Sequence, residues 1–592
     1  MKKGLFRKSL ALVQTVVLLA AVGCGSGANP TAEATTDAGG TSESAAPASE
    51  SAAAESAAPA GQSETAADTA VAEQKLRYST TSLTTLDPQR FNSADSYPPI
   101  KGYVEGLVNT YGREVNPGTA ESWEIADDNK SITFHLRQDA CWSDGSPITA
   151  EDFVYSFRRL ADPANACDYS WALEQVLNFV GIAYPADGVD PLPVEELGVS
   201  APDSQTFVIQ FATPAPYYLA FLDLPCFYPV KRELVEQYGD EYATSPDKLL
   251  GNGPFIVQEY AIDEKLVLVP NDKYWNRDAI KLQEVTLFVM ESEAAVSTYQ
   301  TGGLDFISAI PAAQAPMYLE DPSQLGEGTI MEQYMTGAVD WFCINIASET
   351  NPILANKDFR LALNYALDRE EYVAIATNGL YYPGTRFVLP VVKGKEKPYV
   401  EEYPVDFYKS TAEPDKAQEY LQAAMTAMGI SDPGEITVKL KISDAATNVL
   451  IAENCQDQWQ RNLGINIEIE QVTYRAMLSE RVSGEFDLIY AGWMPDFDDP
   501  YTYLSYFVST NAQNGGKYSN PRYDELVNTA NSFTDESVRL GMYAEAEQIL
   551  MEDAGIVPLQ VRQEVWAYKS NLKGVLRYFL GASPHFLYAY FE

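Results

Sequence analysis

The most informative segment of the chain reads WSDGSPITAEDFVYSF, residues 142–157. Asp144-Gly145 is typical of a tight turn, which here ends a strand. Thr149 precedes Asp152 by three residues, the pattern of a capping box at the start of a helix. Apolar residues then recur at helical spacing, at Phe153, Phe157 and Leu160. The sequence therefore predicts a turn followed by a helix over residues 150–160.

On both sides of this segment, the patterns predict further helices and strands without an internal repeat. We expect helices over residues 357–375 and 540–551. Alternating apolar residues predict strands at 206–211, 266–269 and 465–469. In ITFHL, residues 132–136, the same alternation places His135 on the half-exposed face of a strand. The fold class is therefore mixed, α/β or α+β, with several short sheets.

The N-terminus is typical of a secreted lipoprotein. Basic residues precede an apolar run over residues 10–22, as in a secretory signal peptide. The run ends at Ala21-Val22-Gly23-Cys24, which resembles a bacterial lipobox. We therefore expect residues 1–23 to be removed and Cys24 to be lipidated, which would anchor the protein to the outer face of the bacterial cell membrane. An ordinary signal peptide or a short membrane anchor is the alternative.

The segment after Cys24 differs in composition from the rest of the chain. Residues 25–74 contain no aromatic residue and no Lys or Arg, and consist mainly of Ala, Ser, Glu, Thr, Gly and Pro. Such a segment cannot bury a core, so residues 24–74 are predicted to be a lipidated cysteine and a disordered linker. The linker would let a folded domain stand off from the membrane. Residues 75–592 are long enough for roughly three domains.

Charge and cysteine content narrow the class of protein further. The net charge is −42, and no cluster of Lys and Arg is present to contact phosphates, so we expect no nucleic-acid partner. Five cysteines remain after Cys24, namely Cys141, Cys167, Cys226, Cys343 and Cys455. An odd number at wide spacing is no disulfide framework. At most two bridges could form, and the sequence assigns none.

Catalytic and metal-binding motifs are missing from the sequence. There are only two histidines, His135 and His585, and no His-Glu-x-x-His, Cys-x-x-Cys, Gly-x-Ser-x-Gly or phosphate-binding loop. The acidic loop at Asp496, Asp498 and Asp499 lacks the glycine and distal glutamate of a calcium loop. We expect no enzyme, no cofactor and no metal. A secreted hydrolase with a carboxylate pair stays a distant alternative.

A series of motifs runs in order along most of the chain. They are TLDP at 85–88, VEGL at 104–107, PGTAESW at 117–123, FHLR at 134–137, the 142–157 segment, GNGPF at 251–255, NDKYW at 271–275, FRLALNYALDR at 359–369 and GWMPD at 492–496. In order and spacing the set resembles the family 5 extracellular solute-binding proteins, and their oligopeptide-binding branch in particular.

The resemblance implies a bilobal, type II periplasmic-binding-protein-like fold, in the three-domain variant with two crossover segments. Domain I would comprise residues 75–104, 231–335 and 563–592, domain II residues 105–230, and domain III residues 336–562. It also implies a monomer that captures oligopeptides between its lobes, which close like a hinge, and delivers them to the permease of an ABC importer.

The resemblance further implies how the peptide is held. Asp496 would neutralise the peptide's ammonium, Arg481 would lie near its carboxylate, Trp493 would pack over the chain and Tyr169 would face it. Strand pairing with the peptide backbone would involve residues 92–95 and 490–493. This set of ligand-binding residues therefore also includes Asn92, Ser93, Ala94, Tyr490 and Gly492, and Tyr474 completes it.

This sequence departs from the better-known oligopeptide binders at several of these positions. Asn92 and Cys343 replace acidic residues, Tyr474 a tryptophan and Tyr490 an arginine, while Ala338 and Met494 replace a cysteine pair. A protein of this fold could instead bind an oligosaccharide, a nickel chelate or a signalling peptide. Asp496 argues against a sugar, which has no cation to neutralise. The two histidines argue against nickel.

Overall fold

The segment of residues 142–157 folds as predicted in the computed structural model. Gly145 adopts a φ of +85° in the turn, a conformation that glycine takes without strain. The helix begins at Ala150 and ends at Ala161. The Asp152 carboxylate accepts hydrogen bonds from the Thr149 N–H at 2.8 Å and from its hydroxyl at 2.9 Å. The apolar side chains Phe153, Phe157 and Leu160 are fully buried.

The structure describes residues 73–91, 94–111, 114–186, 188–308, 310–405, 407–577 and 584–592. The predicted signal peptide, Cys24 and nearly all of the predicted linker lie outside the described residues. Every element below belongs to one unit, which spans residues 72–186 and 190–592. In these described ranges, no helix combines the length and apolarity needed to cross a membrane.

Strands and helices are interspersed along the chain. The strands are β1 Lys75–Thr80, β2 Val108–Tyr111, β3 Glu114–Pro117, β4 Ala120–Ile125, β5 Ser131–Leu136, β6 Val199–Asp203, β7 Thr206–Gln210, β8 Phe255–Ala261, β9 Lys265–Pro270, β10 Glu284–Val289, β11 Phe306–Ile307, β12 Thr329–Ile344, β13 Tyr382–Pro383, β14 Thr437–Ser443, β15 Asn466–Val472, β16 Leu488–Trp493, β17 Ile556–Lys569, β18 Leu572–Lys573, β19 Leu576–Arg577, β20 Pro584–His585 and β21 Tyr590–Phe591. The helices are α1 Tyr97–Tyr103, α2 Ala150–Ala161, α3 Phe179–Ala183, α4 Tyr218–Phe221, α5 Arg232–Tyr238, α6 Ser292–Gln300, α7 Ala315–Glu320, α8 Lys357–Tyr365, α9 Arg369–Thr377, α10 Tyr399–Glu402, α11 Pro414–Met428, α12 Ala446–Leu463, α13 Tyr474–Ser483, α14 Tyr501–Leu504, α15 Pro521–Ala530 and α16 Glu536–Glu552.

Two long strands, β12 and β17, connect the two halves of a large mixed sheet. Its order is β15-β14-β16-β12-β17-β11-β1-β10-β9-β8. β12 and β17 pair antiparallel along most of their lengths, and each contributes to both halves. The two-lobed fold with two crossing segments is thereby confirmed.

The crossing strand β12 is irregular in its middle. Its register with β17 shifts between Met335 and Val339. Gly337 in this bulge has a φ of +83°. A β-carbon there would lie 2.8 Å from the Val391 side chain and 2.9 Å from that of Pro495. A bulge is a natural place for a strand to bend, and this one lies where the chain passes from one lobe to the other.

A separate four-stranded sheet, β4-β5-β7-β6, packs against α2. Its side chains alternate as predicted, since Ile132, Phe134 and Leu136 are buried while the His135 side chain is 42% exposed. Buried residues between positions 107 and 227, together with Phe497, form what we call the small-sheet core. Other buried residues between positions 339 and 561 form the large-sheet core. The boundaries proposed above for domains I, II and III stay a prediction.

The helix predicted over residues 357–375 is wrong as a single element. The structure has α8 and α9, separated by residues 366–368. Asp368 caps α9 by accepting a hydrogen bond from the Glu371 N–H at 2.9 Å. The buried Arg369 donates to the carbonyls of Asn364 and Pro558, at 3.3 and 2.8 Å. These bonds hold the chain in a corner that hydrophobic spacing alone does not reveal.

The five cysteines of the folded part are all free thiols. Four of them are buried, and Cys141 is half-buried. The structure therefore contains neither of the two bridges that the sequence left open.

Candidate ligand-binding cavity

A cavity of about 960 Å³ lies between the small-sheet region and the loop that follows β16. One wall consists of residues from 169–184 and 217–224, and the other of residues from 492–513. Aromatic rings from both walls face the space, among them Tyr169, Trp171, Tyr217, Trp493, Tyr501 and Tyr506. Its volume is that of a typical small-molecule site.

The strand β16 presents a backbone edge beside this cavity. β16 pairs with β12 along residues 488–493, but with β14 only at Leu488 and Ile489. In the described part of the chain, no strand pairs with the second edge of residues 490–493. Such an edge can accept an extended peptide as an added strand.

Gly492 is required at this edge for steric reasons. A β-carbon at Gly492 would lie 2.6 Å from Asp340 Oδ1 and 2.9 Å from Arg562 Nη2. Asp340 is fully buried, and its Oδ1 accepts a hydrogen bond from Arg562 Nη2 at 2.7 Å. A larger residue would push this ion pair apart. Gly492 and Trp493 both line the cavity.

Asp496 lies in the cavity wall directly after β16. Its N–H donates to the Thr502 hydroxyl at 3.2 Å. Burial raises the pKa of its carboxyl to about 7. None of the described residues forms an ion pair or hydrogen bond with that carboxylate. Burying a charge without a partner is costly, so this group is suited to bind a cation from a ligand.

Tyr169 lies close to Asp496, as the predicted site requires. The residue precedes a 3-10 helix, Ser170–Leu173. Its ring centre is 4.9 Å from that of Phe91 and 5.5 Å from that of Trp171. Burial and the nearby Asp496 carboxylate raise the pKa of the Tyr169 hydroxyl. The phenol is therefore a neutral donor beside the carboxylate.

Arg481 is buried on α13, behind the cavity wall. Its Nη2 donates to Gln513 Oε1 at 3.4 Å, and its guanidinium lies 5.8 Å from the centre of the Tyr506 ring. Both of these partners line the cavity. No carboxylate of a described residue pairs with Arg481. A ligand carboxylate could therefore supply the missing negative charge.

Two further predicted residues, Tyr490 and Tyr474, are not brought to the cavity wall. Tyr490 is buried, and its hydroxyl accepts a 3.3 Å hydrogen bond from Gln560 Nε2. Tyr474 is 62% exposed and lies outside the wall. Asn92 and Ser93 lie outside the described residues. Ala94 and Asp95 form part of a 3-10 helix, Ala94–Ser96, and the pairing of a peptide with these residues stays a prediction.

Phe497 is an important residue that the sequence did not point to. It follows Asp496 on the loop after β16, yet its side chain belongs to the small-sheet core of the opposite wall. Its ring stacks on Tyr217 at 4.4 Å and meets Phe221 edge-on at 5.1 Å. Phe497 thus connects the two walls directly beside Asp496. An aromatic residue in an acidic loop gives no signal of such a role.

Metal chemistry receives no support from the described ranges of the chain. There, no group of three or more His, Cys, Asp and Glu side chains has a geometry that could hold an ion.

The fold and the cavity define a two-lobed, type II binding protein, with a site between its lobes and an unpaired carboxylate in the wall. Residues 114–515 match the protein family described as "Bacterial extracellular solute-binding proteins, family 5 Middle", and the chain belongs to this family. The resemblance seen in the sequence is thereby confirmed.

Relatives and solved structures agree with this assignment. The chain is 31% identical over 507 residues to the periplasmic murein peptide-binding protein MppA of Escherichia coli, covering 85% of this chain and 90% of MppA. It is 28% identical over 513 residues to the oligopeptide-binding protein OppA of Bacillus subtilis, covering 86% and 91%. The structure of Listeria monocytogenes OppA bound to peptide matches with a TM-score of 0.70 at 27% identity, covering 88% of this chain and 99% of that one.

Proposed function

We propose that this protein captures oligopeptides outside the cell and delivers them to the permease of an ABC importer, as a monomer anchored by lipid at Cys24. The observation that carries the proposal is the Asp496 carboxylate, which lies in an aromatic cavity without a partner among the described residues. A free peptide always carries the ammonium that such a group would neutralise.

The cavity supplies a partner for each feature that all peptides share. Asp496 receives the ammonium. Arg481 lies behind Gln513 and Tyr506, which line the cavity, and a terminal carboxylate would approach its guanidinium between these two side chains. The edge of residues 490–493, with which no described strand pairs, offers backbone donors and acceptors to an extended chain, beginning at Gly492 and Trp493 in the cavity wall. These contacts recognise the termini and the main chain of the peptide and leave its side chains loosely held. A receptor that binds many different peptides needs this kind of recognition. The relatives MppA and OppA are named for binding peptides.

Capture and delivery follow from the two-lobed arrangement. The bulge at Gly337 gives the crossing strand a place to bend, so the lobes can close over a peptide and open again. Phe497 inserts into the opposite wall, directly beside the proposed ammonium site. The lipid at Cys24 and the linker would hold the folded part near the permease while letting it search.

The proposal is tested by titration calorimetry with free and N-acetylated peptides of three to five residues. We expect free peptides to bind, and acetylation or Asp496→Asn to weaken them by about 2 to 5 kcal/mol, because a desolvated charge pair loses one partner. Glu195→Gln is the control, since it removes an exposed charge that lies outside the cavity.

Two results would contradict the proposal. Equal binding of free and acetylated peptides would show that Asp496 holds no ammonium. A response to oligosaccharides alone would assign the cavity to a different class of solute.

A further inference from the structure

Glu174 is a second carboxylate of the cavity wall with no assigned role. It follows the 3-10 helix Ser170–Leu173, and its N–H donates to the Trp171 carbonyl at 2.9 Å. Its carboxylate has no ion pair and no hydrogen bond with any described residue. Glu174 is exposed at the cavity surface, and the surrounding walls still shield its carboxyl enough from water to raise the pKa. Unlike Asp496, Glu174 belongs to the small-sheet side of the cavity.

Aromatic rings flank this carboxylate. Tyr501, from the opposite wall, lies near enough that burial, the Glu174 charge and the Asp499 charge together raise the pKa of its hydroxyl to about 12. Trp171 precedes Glu174 by three residues and also lines the cavity. Aromatic faces beside a carboxylate favour a cation, since the rings attract it and the carboxylate neutralises it.

The balance of charge in the cavity wall also favours a cation. The charged residues lining the described cavity are Glu174, Asp223, Lys393, Asp496 and Asp498. Asp223 is already paired with the buried Lys101. With Asp496 assigned to the ammonium, the wall keeps a negative excess that a neutral peptide does not compensate.

We propose that Glu174 makes this protein selective for peptides that carry a basic side chain, Lys or Arg. The inference rests on the proposed function. Glu174 follows Tyr169, which lies beside Asp496, by five positions, and a rise of roughly 2 Å per residue of 3-10 helix places their backbones about 10 Å apart. An extended peptide covers that distance in about three residues. The basic side chain is therefore expected near the second to fourth position.

The test compares matched peptide pairs by titration calorimetry. Each pair is an alanine pentapeptide with a free N-terminus, carrying either Lys or the uncharged norleucine at position two, three or four. We expect one position at which Lys binds roughly fivefold tighter than norleucine, the upper end for a partly exposed ion pair. In Glu174→Gln, this ratio is expected to fall to about one. Glu195→Gln is the control, because it removes an exposed charge outside the cavity.

The outcomes separate this inference from the proposed function. If norleucine peptides bind and acetylation weakens them, but Lys gives no advantage at any position, peptide capture stands and the role of Glu174 is refuted. A Lys advantage that persists in Glu174→Gln would also refute it. If no free peptide binds, the proposed function itself fails.

Discussion

Asp496 and Asp499 lie three residues apart, and they differ in whether the carboxylate has a positively charged partner within the protein. Asp499 is 2% exposed and pairs with Arg539 of α16, itself 5% exposed. Asp496 lies in the cavity wall, and no described residue pairs with its carboxylate. Two other buried carboxylates are paired in the same way, Asp87 with Arg159 and Glu547 with Arg386. In the function proposed above, Asp499 has its partner within the protein, whereas Asp496 receives its partner from the ligand.

The largest expected effect comes from breaking the completed pair. Arg539→Met leaves Asp499 buried and uncompensated, so we expect the free energy of unfolding to fall by about 3 to 5 kcal/mol. Asp496→Asn removes a charge that lacks a partner in the unliganded protein, and we expect it to leave stability unchanged or raise it. Urea-induced unfolding, followed by tryptophan fluorescence without ligand, measures both.

A double variant serves as the control for this contrast. Asp499→Asn combined with Arg539→Met removes both charges, and should recover part of the stability lost in Arg539→Met alone. If Arg539→Met and Asp496→Asn destabilised the protein equally, the distinction between the two aspartates would be wrong.

A smaller effect is expected at Arg481. Like Asp496, it is a charged residue without an oppositely charged partner among the described residues. Arg539 has its carboxylate, whereas Arg481 has none among the described residues. Arg481→Met should weaken peptides with a free C-terminus by about 1.5 to 3 kcal/mol, the contribution of a hydrogen bond to a charged group. The same peptides with an amidated C-terminus should lose much less. Calorimetry on both sets gives the difference.

Arg475 offers a matched control, because it lies on the same helix, α13, and is exposed. Arg475→Met should leave the ratio of acid to amide affinities as in the original protein. An equal loss for acids and amides in Arg481→Met would mean that this arginine supports the wall without meeting the carboxylate.

Much of the fold was accessible from the sequence because its signals are local. The capping box at Thr149, the helix that follows and the alternation around His135 depend on neighbours within a few residues. The order of motifs gave the two lobes and the crossing segments. The corner at Asp368 was missed, since it is held by Arg369 bonding to Pro558, almost two hundred residues away.

The candidate site depends even more on contacts between residues that are far apart in the sequence. The resemblance pointed to Asp496, Trp493 and Tyr169, and the structure brings these three to one cavity. It could not reveal that Phe497 enters the opposite core or that Glu174 faces the same space. These facts depend on how two distant segments meet, and a sequence pattern carries no information on that contact. Tyr474 shows the converse, since it matched a family position but is 62% exposed.

The smallest expected effect is a pH dependence that reports on Asp496 alone. Its carboxyl has a pKa near 7 in the unliganded protein, whereas a peptide ammonium has one near 8. Binding needs the ionised carboxylate and the protonated amine together. Affinity for free peptides should therefore rise about fivefold between pH 6 and pH 7, as the ionised fraction grows from about a tenth to about a half, and fall again above about pH 8.

The free energy of unfolding reports on the Asp496 carboxyl independently, and it should fall over the pH range in which peptide affinity rises. Because the folded pKa is raised above the unfolded value, the folded protein binds more protons at Asp496 between about pH 4 and pH 7. Its contribution to stability is present at low pH and is lost as the pH rises through 7. Unfolding free energies of the original protein and of Asp496→Asn should diverge over this range, and peptide affinity in the variant should stay flat from pH 6 to pH 7. A variant that kept the fivefold rise would place the titrating group elsewhere, and the contrast between Asp496 and Asp499 would lose its electrostatic basis.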